Sequence, residues 1–204
     1  MSKRRYKSRQ RNQKLPALFF IGAGLILLGI AGMIYLPDAT APKRESFSAS
    51  AGADGLPQFT SVTPVRVEMP APDLQLATLT NQPDSLTNHL GEVVLINNWA
   101  IWCPPCKAEL PHMEAFYQRH KDKGFTIIAI DAGDPAAQVT EYVRETGLTF
   151  PIWLDPQQEA MAAFRNGSLP SSYVVDREGT IVMAWTGAIS EEMLERYVAP
   201  LLVD

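Results

Sequence analysis

The chain has 204 residues, 46% of them apolar, which allows one packed domain of ordinary size plus an appendage. Charge is unevenly placed: residues 1–14 hold seven cations and no acid, and the other eleven cations face all 22 acids. An acidic main body argues against nucleic acid as a partner, because phosphate binding needs clustered cations, and two cysteines cannot staple a loop-rich secreted fold.

Residues 1–14 carry Lys3, Arg4, Arg5, Lys7, Arg9, Arg11 and Lys14, and the following stretch from Leu15 to Pro37 has no charge at all. At about 1.5 Å per residue, such a stretch is long enough as a helix to cross a hydrocarbon core of about 30 Å. Cations before the span and Asp38 after it put the N-terminus in the cytoplasm and the rest outside. The expected location is therefore the plasma membrane, crossed once. A cleaved signal peptide is the rival, since Ala39-Thr40-Ala41 has the small residues of a cleavage site. The apolar stretch exceeds the usual signal core of about 7–15 residues, so an uncleaved anchor is the reading taken. Residues 38–63, rich in Ala, Ser, Gly, Pro and Thr, read as a flexible linker with enough small apolar residues for part of it to dock on the domain.

From residue 64 the pattern alternates between strands and helices. Val93–Ile96 suits a buried central strand and residues 105–121 a helix. Phe125–Ile130 reads as a second buried strand. A helix follows over 135–146, with Asp134 as N-cap, Pro135 at its first position and Gly147 after its end. Residues 149–154 read as a strand and 157–165 as a short helix. Tyr173–Val175 and Thr180–Trp185 flank Asp176-Arg177-Glu178-Gly179, a hairpin signal, and Ser190 caps a last helix. This order gives an α/β domain, a mixed sheet covered on both faces. Trp99, Trp153, Tyr173 and Trp185 are expected in the core, Trp102 at the surface, and His89, His112 and His120 at surface or capping positions. Pro111 reads as a kink in its helix.

The only cysteines, Cys103 and Cys106, fall where the first central strand turns into a helix. The orphan amides and dipole of a helix N-terminus stabilise an anion there, and thiolate is the nucleophilic form of cysteine. Cys103 is expected exposed at the helix start, and Cys106 one turn on and facing inward, close enough to close a disulfide. Pro104 and Pro105 stiffen the turn and remove two amide donors. Zinc needs about four ligands, and no second cysteine pair or histidine spacing supplies them. Haem attachment wants histidine at 107, which is lysine. Redox chemistry is the reading left, with no metal and no cofactor beyond the Cys103–Cys106 pair itself.

Trp102-Cys103-Pro104-Pro105-Cys106-Lys107, with Pro111 five residues further on, resembles thioredoxin. The longer run Asn97-Asn98-Trp99-Ala100-Ile101-Trp102-Cys103-Pro104-Pro105-Cys106-Lys107-Ala108-Glu109-Leu110-Pro111 resembles the TlpA/ResA-like branch, over about residues 64–204. The resemblance implies a thioredoxin-like fold, with 135–146 as an inserted helix beside the N-terminal transmembrane helix. It also implies an extracytoplasmic, membrane-anchored thiol–disulfide oxidoreductase. Leu169-Pro170 matches the family's cis-proline loop, which would offer backbone to a bound peptide beside Trp102. The buried aspartate of thioredoxin is here Asn97, so proton transfer to Cys106 needs another group. Glu109, on roughly the same helix face, is the candidate, although a solvated helix acid is the simpler reading. Partners implied are exported cysteine-containing proteins, apocytochrome c among them, a membrane electron donor, and the bilayer through residues 15–37. Reduction of clients is the expected direction. Oxidation or isomerisation, client holding without turnover, and redox sensing are the alternatives.

Overall fold

The computed structural model describes residues 55–203. The expected basic segment 1–14, the membrane span 15–37 and the linker up to residue 54 lie outside the described residues. Among the described residues, no helix is long and apolar enough to cross a membrane.

The elements in chain order are β1 (Val65–Pro70), β2 (Gln75–Thr78), β3 (Pro83–Ser85), β4 (Val93–Trp99), α1 (Pro104–His120), β5 (Phe125–Asp131), α2 (Ala136–Thr146), β6 (Ile152–Leu154), α3 (Glu159–Ala163), β7 (Ser171–Val175), β8 (Thr180–Thr186) and α4 (Glu191–Tyr197). They form one eight-stranded mixed sheet in the order β1-β8-β7-β4-β5-β6-β2-β3. The βαβ unit pairs β4 with β5 in parallel, Val93 to Phe125 through Trp99 to Asp131, and β7 runs antiparallel on the other side of β4. The apolar runs at 93–96 and 125–130 become these central strands because both faces of the sheet are covered.

Alternate residues of the strands feed two cores. One face holds Val93, Leu95, Trp99, Phe125, Ile127, Val174 and Trp185 against Leu110, Met113 and Phe116 of α1 and Leu194 of α4. The other holds Val94, Ile96, Ile128, Ile130, Trp153 and Tyr173 with Leu74, Leu76 and Ala160. Trp99 and Phe116 are completely buried, and truncating either would cost about 3–5 kcal/mol. Pro111 lies inside α1, which continues through it to His120.

Several local expectations change. The strand at 149–154 shortens to Ile152–Leu154 and the helix at 157–165 to Glu159–Ala163. The strands β1, β2 and β3 precede everything the hydrophobic pattern marked. β1 is an edge strand, mostly exposed, and takes its register from β8 rather than from an apolar face of its own. His112 and His120 are buried, not superficial. His120 packs on the Phe116 ring at 4.4 Å and bonds Glu195 at 2.9 Å, so α4 covers a histidine that α1 alone would leave in water.

The last residues of the expected linker lie against the domain. The Nε2–H of His112 donates to the Pro57 carbonyl at 2.6 Å, and Phe59 meets the His112 ring edge-on. Ser190 N–H donates to Ser61 Oγ at 2.8 Å, and Val62 N–H to the Ala188 carbonyl at 3.0 Å. Gly187 permits this approach. At φ +107°, a Cβ there would lie 2.7 Å from Val62 Cγ1.

Candidate active site

The site is built where β4 ends. Residues 100–103 turn out of the sheet, with Cys103 N–H closing on the Ala100 carbonyl at 3.2 Å, and α1 begins at once. Cys103 is the N-cap of α1, and Pro104 and Pro105 occupy its first turn. Those prolines have no N–H, so the Cys106 amide is the donor that reaches the Cys103 sulfur, at 3.3 Å. Cys103 and Cys106 are joined as a disulfide with Cα atoms 5.3 Å apart, inside the ordinary range.

Cys103 does not stand exposed. It retains 3% of its surface and Cys106 none, because both sit in the apolar cluster with Trp99 and Ala100, on which Ile101 and Leu169 pack. Trp102, by contrast, projects from the turn 67% exposed, as its position predicted.

The Leu169–Pro170 bond is cis. Register brings this loop to the site. In the antiparallel β4–β7 pair, Asn97 lies opposite Ser172 and Asn98 opposite Ser171. Pro170 directly precedes this paired strand, and Leu169 packs on the cluster that holds Cys103 and Cys106. Pro170 is buried and Leu169 half-buried.

Glu109 is the largest departure from the sequence reading. It is fully buried, not solvated. Its Oε1 accepts from Asn97 Nδ2 at 2.7 Å and its Oε2 from Ile189 N–H at 3.0 Å. Burial pushes its carboxyl up to about 8, against the pull of those two bonds. Asn97 also donates to Ser172 Oγ at 3.0 Å, so β4, α1, β7 and the segment before α4 meet at one polar point inside the core. A buried carboxyl that titrates near neutral pH, one helical turn after Cys106, can take up or release a proton without leaving the core.

The family relationship rests on sequence and fold together. The pattern of the AhpC/TSA family matches residues 67–184. The chain is 35% identical over 140 residues to the thiol-disulfide oxidoreductase ResA of Geobacillus kaustophilus, covering 69% of this chain and 80% of that one. It is 34% identical to the ResA of Geobacillus thermodenitrificans over the same coverage. A thiol:disulfide interchange protein of the thioredoxin family from Chlorobium tepidum superposes with a TM-score of 0.61 at 26% identity, covering 67% of this chain and 98% of that one. The chain belongs to the TlpA/ResA-like thiol–disulfide oxidoreductases.

In this TlpA/ResA-like domain the structure brings together Cys103, Cys106 and Leu169, sets Glu109 one helical turn after Cys106, and leaves Trp102 exposed. Sequence reasoning missed Asn97 as the amide that binds Glu109. The signal was two asparagines at the end of a strand otherwise made of buried apolar residues. It also missed Asp131 and misassigned Asp134. No side chain caps α2, whose N-cap is Pro135. The Asp134 carboxylate instead accepts from Ile101 N–H at 2.7 Å, and Asp134 N–H donates to Asp131 Oδ1 at 2.8 Å. The carboxylate expected to cap the helix is bonded to the cysteine turn instead.

Proposed function

We propose that disulfide exchange runs through Cys103 and Cys106, that Cys103 attacks, and that the protein reduces exported proteins from a membrane anchor at residues 15–37. The reading is carried by one observation: Cys103 caps a helix N-terminus, with the Cys106 amide on its sulfur at 3.3 Å. The same amide and the helix dipole would favour a Cys103 thiolate.

In the reducing direction, the Cys103 thiolate attacks one sulfur of a client disulfide. A mixed disulfide forms and one client thiolate leaves. Cys106 gives up its proton, for which Glu109 in its ionised form is the candidate acceptor, and its sulfur displaces the client from Cys103. The client departs as a dithiol and the Cys103–Cys106 disulfide is left, two electrons having passed to the client. A membrane electron donor must return them, because exported compartments do not keep thiols reduced. Trp102 and the Leu169–Pro170 backbone are the surfaces proposed to hold the client. Apocytochrome c, which needs free thiols, is one client that fits.

The direction is tested by equilibrating the protein against glutathione buffers. A potential below roughly −220 mV is expected, toward the thioredoxin end of the scale. A value near about −120 mV would class the protein with strong oxidants and reverse the direction.

A further inference from the structure

The end of β5 and the loop that follows it carry two carboxylates that the exchange steps leave unused. Asp131 closes the strand opposite Trp99 and is completely buried. Its Oδ1 takes the Asp134 N–H at 2.8 Å, while Oδ2 has no hydrogen-bond partner among the described residues. Burial, opposed by that N–H and reinforced by the neighbouring Asp134 carboxylate, raises the Asp131 pKa. Asp134 is half-buried and directs its Oδ2 to Ile101 N–H at 2.7 Å. Ile101 lies two residues before Cys103, within the turn that Cys103 N–H closes on the Ala100 carbonyl. The turn that delivers the attacking sulfur is thus tied at one point to itself and at another to a carboxylate outside it. An unpartnered oxygen on a buried carboxyl is unfavourable. The two acids do not cap α2, whose N-terminus receives no side-chain cap bond.

We propose that Asp134 is a positioning residue for Cys103 and that Asp131 positions Asp134. The inference rests on the reading of Cys103 as the attacking thiol. A charge-assisted bond to Ile101 N–H holds the turn more firmly than a neutral acceptor would. The same negative charge opposes a second anion nearby, so it keeps the Cys103 thiolate from becoming over-stabilised. Asp131, fixed in the core, aims Asp134 through its backbone amide.

The test uses the full chain, reduced, with iodoacetamide alkylation followed across pH and the first alkylated peptide identified by mass spectrometry. Turnover of an insulin disulfide is measured alongside. Asp134→Asn removes the charge and keeps an acceptor. It should move the alkylation midpoint to lower pH, whereas a purely structural role would leave it in place. Asp134→Ala should show the same shift and lose about tenfold in turnover, most of which Asp134→Asn restores. Asp131→Ala should lose turnover similarly, and the double variant should be no slower than Asp134→Ala, because both act through one contact. An unmoved midpoint in Asp134→Asn, or additive losses in the double variant, would overturn the proposal while leaving Cys103 as the attacker. First alkylation at Cys106 would overturn the proposal together with the reading beneath it.

Discussion

The Glu109 carboxylate and the Asn97 amide meet at 2.7 Å in the core, and neither side chain reaches solvent. This one contact joins the helix that carries Cys106 to the strand that leads into Cys103. It also makes the domain sensitive to pH. Glu109 in the unfolded chain ionises at its ordinary value of 4.5, and in the folded protein at about 8. Between those values the folded state holds a proton that the unfolded state has released. Stability should therefore be greatest below about 4.5 as far as this group is concerned, fall as pH rises toward about 8, and level off above it. The slope can reach about 1.4 kcal/mol per pH unit. Glu109→Gln, which cannot ionise, should flatten this slope in urea denaturation series. It should also slow client reduction by a factor on the order of 10² by removing the proton acceptor. A slope equal to that of the unmodified protein would show that Glu109 does not titrate in this window.

Cys106→Ser should accumulate mixed disulfides, since Cys103 can attack a client but nothing displaces it. Non-reducing gels would show adducts that thiol reductant removes. Cys103→Ser should give none, because the completely buried Cys106 has no path to a client. Adducts on Cys103→Ser alone would reverse the roles of the two sulfurs.

Gly187→Ala should destabilise the domain by about 1–3 kcal/mol, through a strained backbone at φ +107° and a contact with Val62 at 2.7 Å. Adding Val62→Ala removes the contact but not the φ, so the double variant should recover only part of the loss. Susceptibility of residues 55–62 to protease should rise in Gly187→Ala and fall back in the pair. Full recovery would mean that the crowding alone mattered.

Trp102→Ala should change stability by no more than about 0.5 kcal/mol, as its side chain is 67% exposed. Its effect should fall on protein clients, raising KM for a folded disulfide substrate several-fold. A small-molecule disulfide, too short to span from the sulfur to the indole, should be affected less. Equal losses on both would place the indole in the chemistry rather than in docking.

Much of the domain is legible in the sequence because short-range rules govern it. Unbroken apolar runs make β4 and β5. Gly147 ends α2 in the left-handed conformation, at φ +71°. The cysteine spacing places one sulfur at a helix start and the other a turn later. The strands β1, β2 and β3 escaped because each is short or sits at an edge, and β1 and β2 are held in the sheet by β8 and β6, which are distant in the chain.

The same division runs through the site. Residue type and spacing identified Cys103 and Cys106 as candidates, and the resemblance to the TlpA/ResA-like branch added Trp102 and the Leu169–Pro170 loop. Whether Glu109 faced water or the core could not be read from its place on α1. That depended on Asn97, twelve residues before it, and on Ile189, eighty residues after it. Asp134 had two plausible donors, the start of its own helix and Ile101, and the packing of β5 beside β4 decided between them. His112 is buried because residues 57–59 fold over it. Local sequence decides where a helix or strand forms, since backbone hydrogen bonds and side-chain periodicity act over a few residues. The environment of a charge depends on what the rest of the chain brings within about 3 Å of it, and only tertiary packing does that.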